Sequence, residues 1–144
     1  MTYLLDVNVV IALIDPGHIA HDPAHDWFGR EGKRSWATCP LTENGVIRIV
    51  GSPRYPNTPG SPAAVAKILD AMRALDGHVF WPDEISLFDS VDVDPACILT
   101  SAQVTDTYLL ALARSNSGSL ATFDRKLSHA AVRNGAAALH VIGD

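Results

Sequence analysis

Residues 3–14 read YLLDVNVVIALI, and this stretch decides the fold class of the chain. Residues 2–5 are a short apolar run that predicts a buried β-strand. Residues 7–14 fit either a second strand or a helix, and we favour a helix because the Asp-Pro-Gly sequence at 15–17 then ends the element. Asp6 separates the two runs, so the sequence predicts a carboxylate at the point where a strand ends.

The rest of the chain repeats this alternation of short apolar strands and helical patterns. Thr42 suits the cap of one such helix, and the proline-rich residues 52–62 predict a loop. Strands that alternate with helices imply βαβ units, so we expect an α/β fold whose parallel sheet is flanked by helices on both faces. The remaining elements are predicted as strands at residues 36–38, 79–81, 120–122 and 138–142, and as helices at residues 22–32, 42–50, 62–74, 84–90, 104–114 and 125–133.

Length and composition predict one domain over residues 1–144. The chain is 47% hydrophobic and 19% charged, which are ordinary globular values, and no apolar run approaches the roughly 20 residues that span a bilayer. The first residues carry no export signal, so we expect a cytoplasmic location and no membrane partner. Cys39 and Cys97 lack metal-ligand spacing and are interpreted as buried thiols, with a disulfide left open.

The net charge of −5 disfavours a passive nucleic-acid binder, because lysine and arginine contacts to phosphate supply most non-specific affinity. The acidic balance does not disfavour a metal-dependent nuclease. In such an enzyme the acids hold metal ions, and the ions present positive charge to the scissile phosphate.

Four acidic residues stand where the predicted secondary structure changes: Asp6, Glu43, Asp106 and Asp124. Asp6 and Asp124 follow predicted strands, and Glu43 and Asp106 lie in the first turns of predicted helices. Because ligands bind beyond the carboxyl ends of parallel strands, we expect these side chains to meet at that edge. Converging carboxylates repel one another unless a cation neutralises them, and oxygen ligands favour Mg²⁺ or Mn²⁺. The pattern therefore predicts a site for one or two such ions.

The segments LLDVNV, LTENG, VTDTYLLALA and LATFDRKL resemble the PIN-domain ribonucleases, in particular the VapC toxins of bacterial toxin–antitoxin systems. The resemblance runs nearly end to end and implies a PIN-like fold, RNA hydrolysis, a cognate antitoxin protein and a homodimer. It also implies the functional residues, namely Asp6, Glu43, Asp106 and Asp124 in the acidic metal site, with Asn8 and Thr122 at its flanking polar positions.

Chemical roles can be assigned to these residues as hypotheses. We expect Asp6 and Asp106 to ligate an ion directly, and Glu43 and Asp124 to act through water or to orient the nucleophile. Asn8 and Thr122 are expected to fix the orientation of the carboxylates through hydrogen bonds. Taken singly, each acid also has a structural interpretation as a helix cap or a first-turn acid, which the helix dipole favours.

Two alternative functions remain open from the sequence. An aspartate after the first strand of an α/β sheet can be phosphorylated, which would make Asp6 the nucleophile of an aspartyl-phosphate phosphatase. The residues around Asp6 nevertheless lack a second acid two positions on. The other alternative is a non-catalytic RNA-binding or partner-binding module, since a fold alone does not establish activity.

Two further groups of polar residues have both a functional and a structural interpretation. Three histidines resemble a ligand cluster, but the proline at position 23 separates them, so we interpret them as surface residues. A short basic patch is a candidate for binding the RNA backbone, and a solvated turn explains it equally well. The histidines are His18, His21 and His25, and the basic patch is Arg30, Lys33 and Arg34.

Overall fold

Five short strands form one parallel sheet in the computed structural model, which describes residues 1–88 and 91–143. The central strand β1 pairs with β2 on one side and with β4 on the other, and the order across the sheet is β3-β2-β1-β4-β5. This architecture confirms the predicted fold class. The strands are β1 (Tyr3–Leu5), β2 (Trp36–Thr38), β3 (His78–Phe80), β4 (Ser119–Thr122) and β5 (Leu139–Val141).

In the part of the chain that the structure describes, five α-helices cover the sheet. Two short 3-10 helices lie between α-helices, and a third follows the last α-helix. The apolar run after Asp6 is a helix, as favoured from the sequence. The α-helices are α1 (Val7–Ile14), α2 (His21–Arg30), α3 (Pro40–Val50), α4 (Pro62–Arg73) and α5 (Gln103–Ser115), and the 3-10 helices are Gly32–Arg34, Pro95–Cys97 and Gly135–Ala138. No α-helix in the described ranges has both the length and the apolar character needed to cross a membrane.

The alternation of side chains along β1 divides the core between the two faces of the sheet. Tyr3 and Leu5 pack in one cluster with apolar residues of α1, α2, α3 and α4. Leu4 points to the other face and packs in a second cluster with the buried side of α5. Because both faces are covered, β1 is apolar throughout, and the first polar residue after it lies at the edge of the sheet.

Two predicted helices are wrong within the described residues. Residues 84–88 are coil and turn, with the Phe88 amide donating to Ser86 Oγ at 3.1 Å, and positions 89 and 90 of that prediction lie outside the described residues. Residues 125–133 also lack a helix, because a distant segment pairs with them: the Asp94 amide donates to Ala131 O at 2.9 Å, and Val93 bridges Val132. Side-chain and long-range hydrogen bonds take the backbone groups that a helix would use.

Smaller differences concern element ends and the cysteines. Thr42 is the third residue of α3 instead of its cap, and its hydroxyl accepts from the amide of Cys39, the residue that caps the helix. Strand β3 is His78–Phe80, one residue earlier than predicted. Cys39 is buried as expected, whereas Cys97 is half-buried, and both thiols are free.

Candidate functional site

Asp6 is the residue that joins β1 to α1, and both of its carboxylate oxygens are held. The Val7 amide donates to Oδ1 at 2.8 Å, and the Thr122 hydroxyl donates to Oδ2 at 2.8 Å. Thr122 is the last residue of the neighbouring strand β4. Asp6 is only 8% exposed, so its carboxylate has a fixed position at the carboxyl edge of the sheet.

Asp106 and Asp124 lie close enough to Asp6 for the three charges to act on one another. Burial, and then the charges of Asp6 and Asp124, raise the pKa of Asp106 to about 6. Burial chiefly raises the pKa of Asp6, and the charge of Asp124 adds to this effect, against the hydrogen bonds from Thr122 and Val7. A shared rise in pKa is the expected sign of like charges gathered in a partly desolvated place.

The same threonine links two of these aspartates. The backbone amide of Asp124 donates to Thr122 Oγ1 at 3.1 Å, while that hydroxyl donates to Asp6. The Asp124 side chain accepts from the Lys126 amide at 2.9 Å and is otherwise exposed. Thr122 therefore orients the carboxylate of Asp6 and the backbone of Asp124, and its supporting role at a metal site stays a prediction.

Glu43 lies on the same edge, in the first turn of α3, but it has different neighbours. The Thr38 hydroxyl donates to Glu43 Oε2 at 2.7 Å, and Arg73 Nε lies 3.1 Å from the same oxygen. His78 Nε2 lies 2.8 Å from the Thr38 hydroxyl. Burial and the nearby Arg73 charge lower the pKa of His78, while Glu43 acts in the opposite direction. The structure thus brings three of the four acids together and pairs the fourth with an arginine.

The four acids form an open arrangement and not a closed cluster. Over residues 1–88 and 91–143, no three Asp, Glu, His or Cys side chains are gathered closely enough to enclose an ion. The three aspartates nevertheless supply the donor set that a hard divalent cation prefers. The raised pKa values of Asp6 and Asp106 indicate that an added positive charge would be favourable at this place.

Other residues singled out from the sequence lie outside this group. Asn8 is exposed in the first turn of α1, and none of the hydrogen bonds found for the four acids comes from it. Arg30 ends α2, and Lys33 and Arg34 lie in the 3-10 turn that leads into β2. The basic patch therefore stands at the amino end of β2, whereas the acids stand at the carboxyl edge.

The three histidines have structural contacts. His21 Nδ1 donates to Ala12 O at 2.7 Å, and His25 Nε2 donates to Leu13 O at 2.8 Å. Both acceptors are carbonyls in the last turn of α1, which have no partner within their own helix. His18 Nδ1 accepts from the Ala20 amide at 3.0 Å. The contacts of His21 and His25 join α1 to α2.

Sequence reasoning missed Arg73, Thr38 and His78 as neighbours of Glu43. Thr38 ends β2 in the same way that Thr122 ends β4, so a threonine at a strand end was a signal available in the sequence. The helical periodicity places Arg73 on the polar face of its helix. Its pairing with Glu43, 30 positions away, depends on how α4 packs against α3.

The raised pKa of Asp106 predicts a dependence of stability on pH in the metal-free protein. Below about pH 4 this group is protonated in both the folded and the unfolded chain. As the pH rises to about 6, the unfolded chain loses its proton first, so the folded state loses stability. We expect Asp106→Asn to abolish this loss and to raise the free energy of unfolding at pH 7 by about 1 kcal/mol, allowing for solvent screening.

Urea unfolding in EDTA at pH 4.5 and pH 7 measures this difference for Asp106→Asn and the wild type. Asp26→Asn is a suitable control, because Asp26 is exposed on α2. An equal pH effect in all three proteins would contradict the electrostatic coupling of Asp106 to its neighbours.

Known proteins resemble this chain in both sequence and fold. The PIN domain family model matches residues 3–133. Ribonuclease VapC44 of Mycobacterium tuberculosis is 42% identical over 135 residues, covering 92% of this chain and 92% of its own. Ribonuclease VapC39 of the same organism is 41% identical over 131 residues, covering 91% of this chain and 94% of its own.

A solved structure supports the same assignment at the level of the fold. It is the crystal structure of VapBC2 from Rickettsia felis bound to a DNA fragment from their promoter, with a TM-score of 0.55 over 99% of both chains. The identity is 9%, so this similarity concerns the fold alone. From the family match and the identities to the two ribonucleases, the chain belongs to the PIN-domain family and is a VapC-like member of it.

Proposed function

We propose that this protein is a metal-dependent endoribonuclease that hydrolyses RNA phosphodiester bonds, and that it is the toxin of a type II toxin–antitoxin system. The observation that carries the proposal is the group of three aspartates at the carboxyl edge of the sheet, where burial and neighbouring carboxylates raise the pKa of Asp6 and of Asp106. The relatives named ribonucleases cover more than nine tenths of this chain, and they support RNA as the substrate.

The residues at the edge fit a hard divalent ion such as Mg²⁺ or Mn²⁺. The three aspartates offer only oxygen donors, and Asp106 makes no hydrogen bond to the described residues that would have to break. When bound, one or two such ions activate water and shield the charge of the phosphoryl group. We assign Asp6 and Asp106 as direct ligands, in keeping with their burial and their raised pKa values.

The other residues have supporting parts in the proposal. Glu43 and Asp124 are assigned to bind through water or to orient the attacking water, since both lie at the same edge with less burial than Asp6. Thr122 holds the carboxylate of Asp6 in place. Asn8 is assigned to the flanking polar position next to Asp6, from which its exposed amide reaches solvent or substrate.

The proposed partners are RNA and a cognate antitoxin protein, and a homodimer is the proposed assembly. The structure of VapBC2 supports the idea of an antitoxin, because in it a protein of similar fold is named together with its VapB partner. The basic residues Arg30, Lys33 and Arg34 stay a candidate for RNA contact. Their place at the amino end of β2 makes any such contact remote from the acids.

Cleavage of a mixed RNA pool by the purified protein tests the proposal. We expect cutting in Mn²⁺, loss of cutting in EDTA, and recovery when Mn²⁺ is added back. The same ion should raise the melting temperature, because a ligand that binds the folded state stabilises it by mass action. Cutting that continues undiminished in EDTA would contradict the metal-dependent mechanism, and absence of cutting with antitoxin-free protein across the whole pool would contradict the nuclease itself.

No contact among the described residues favours the two alternatives. An aspartyl-phosphate at Asp6 would place a dianion beside Asp106 and Asp124, where negative charge is already unfavourable. A non-catalytic binding module would have no need for these mutually repelling carboxylates. The endoribonuclease is therefore the function that the geometry supports best.

A further inference from the structure

A groove beside Glu43 carries two cationic side chains that the proposed hydrolysis does not use. It has a volume of about 390 Å³ and lies between α3 and α4. Ile47 and Leu69 give it an apolar floor, and its polar residues are Glu43, Lys67, Asp70 and Arg73. The groove therefore begins at the acidic edge of the sheet and continues along α4.

Arg73 is only partly engaged in this groove. Its Nε lies 3.1 Å from Glu43 Oε2 without the alignment of a hydrogen bond, and its guanidinium lies 5.5 Å from the centre of the Phe80 ring. No residue that the structure describes accepts a hydrogen bond from its two terminal amino groups, and 37% of the side chain is exposed. The contact with the ring holds the charged group in place and leaves its outer edge open to a ligand.

We propose that Arg73, with Lys67, binds a phosphate of the RNA strand next to the scissile bond. This inference rests on the proposed nuclease function and adds a subsite to it. Two free amino groups in one plane match two oxygens of a phosphate, which is the geometry that arginine recognises best. The position of Arg73 against Glu43 puts that phosphate directly beside the acidic site.

The charges of the groove agree with a phosphate ligand once Glu43 serves the catalytic site. In the structure, Arg73 and Lys67 are balanced by Glu43 and Asp70. When Glu43 takes part in holding an ion or a water, its charge is offset there, and the two cations outnumber Asp70. Arg73 thus has an acidic partner in the resting protein and exchanges it for the substrate.

Binding of a fluorescein-labelled single-stranded RNA of about 20 nucleotides, the length that covers one or two single-strand binding sites, tests the subsite. Fluorescence anisotropy is measured in Ca²⁺ at several salt concentrations, and a denaturing gel confirms that the RNA stays intact. The variants are Arg73→Ala, Arg73→Lys and, as a matched control, Arg48→Ala. Arg48 is exposed on α3 and lines a different groove, with Ile49 and Arg54. Thermal melts of each variant confirm folding.

We expect Arg73→Ala to weaken RNA binding about tenfold, the size of a lost charge-assisted hydrogen bond. The slope of log affinity against log salt should fall by about 0.7, because one phosphate contact to a single strand is lost. Arg73→Lys should keep the salt slope and weaken binding a few-fold. The positive charge remains in this variant, but the two coplanar amino groups of the guanidinium are lost. Arg48→Ala should bind as the wild type does.

Two results would overturn the subsite. One is an Arg73→Ala variant with the RNA affinity and salt slope of the wild type. The other is an equal loss of RNA affinity in Arg48→Ala, which would indicate non-specific electrostatic attraction. If the wild type cuts RNA in Mn²⁺ and Arg73→Ala has unchanged KM and affinity, the subsite is wrong while the nuclease stands. If the wild type neither cuts nor binds RNA, the proposed function fails, and the subsite fails with it.

Discussion

Asp6→Asn is expected to lower kcat/KM for RNA cleavage in Mn²⁺ by at least about 10³-fold. A bound divalent ion contributes several kcal/mol to stabilisation of the transition state, and about 4 kcal/mol corresponds to this factor. The substitution should not disturb the fold. The carbonyl oxygen of the new side chain can still accept from the Val7 amide, and the Thr122 hydroxyl can rotate to accept from the new amide group. Initial rates of cleavage across a range of RNA concentrations measure the effect.

Melting temperatures show whether Asp6→Asn loses activity because a metal ligand is missing or because the fold is damaged. Because Asp6→Asn removes one of three repelling charges, its melting temperature in EDTA at pH 7 should equal or exceed that of the wild type. Its melting temperature should no longer rise with Mn²⁺. Asp26→Asn, at an exposed position of α2, should retain full activity. Cleavage within tenfold of the wild type in Asp6→Asn would mean that the site is elsewhere.

The edge of the sheet that holds the aspartates was predictable from the sequence for a simple reason. Parallel strands end at the same edge, so an acid after one strand and an acid after another must lie near each other if the strands are neighbours. Asp6 follows β1 and Asp124 follows β4, and the two strands are paired. What the sequence did not contain was the order of the strands, which decides whether two ends are adjacent.

The helix predicted at residues 125–133 was wrong because local and long-range hydrogen bonds outweigh the helical pattern of apolar residues in this segment. Leu127, Ala131 and Val132 are buried, as in a helix with an apolar face. Asp124, however, accepts from the Lys126 amide and makes a local turn, and the segment near position 93 pairs with position 132. A carboxylate that binds its own backbone competes with helix formation, and a distant strand-like partner cannot be read from periodicity.

The pairing of Glu43 with Arg73 is a second feature beyond the reach of sequence reasoning. Both residues were correctly placed on helices, Glu43 in a first turn and Arg73 on a polar face. Their contact is set by the way in which α3 packs on α4, and by the ring of Phe80 beneath the guanidinium. Helix faces follow from periodicity, whereas contacts between helices depend on their relative rotation and tilt.

Gly77→Ala is expected to reduce the free energy of unfolding by about 3 to 4 kcal/mol, since it combines backbone strain with a steric clash. Gly77 joins α4 to β3 and has a φ of +89°. This backbone conformation costs roughly 1 kcal/mol for a residue that has a side chain. A Cβ there would also lie 2.2 Å from the carbonyl oxygen of Lys33, which is part of the backbone and cannot move alone. The Trp36 amide donates to the Gly77 carbonyl at 2.9 Å, so a shift of this residue would loosen the pairing of β3 with β2.

Two other glycines separate the two causes of this loss. Gly60 also has a positive φ, +118, but a Cβ there meets nothing within 4 Å, so Gly60→Ala should cost only about 1 kcal/mol. Gly29 lies in α2 with open space and no positive φ, so Gly29→Ala should stabilise the protein by roughly 0.5 kcal/mol. Urea unfolding of the three variants compares them directly. If Gly77→Ala costs no more than Gly60→Ala, the expected clash with the Lys33 carbonyl is wrong. A larger cost means that the close approach of Gly77 to this carbonyl fixes the turn into β3, the strand that carries His78, which contacts Thr38, and Phe80, which contacts Arg73.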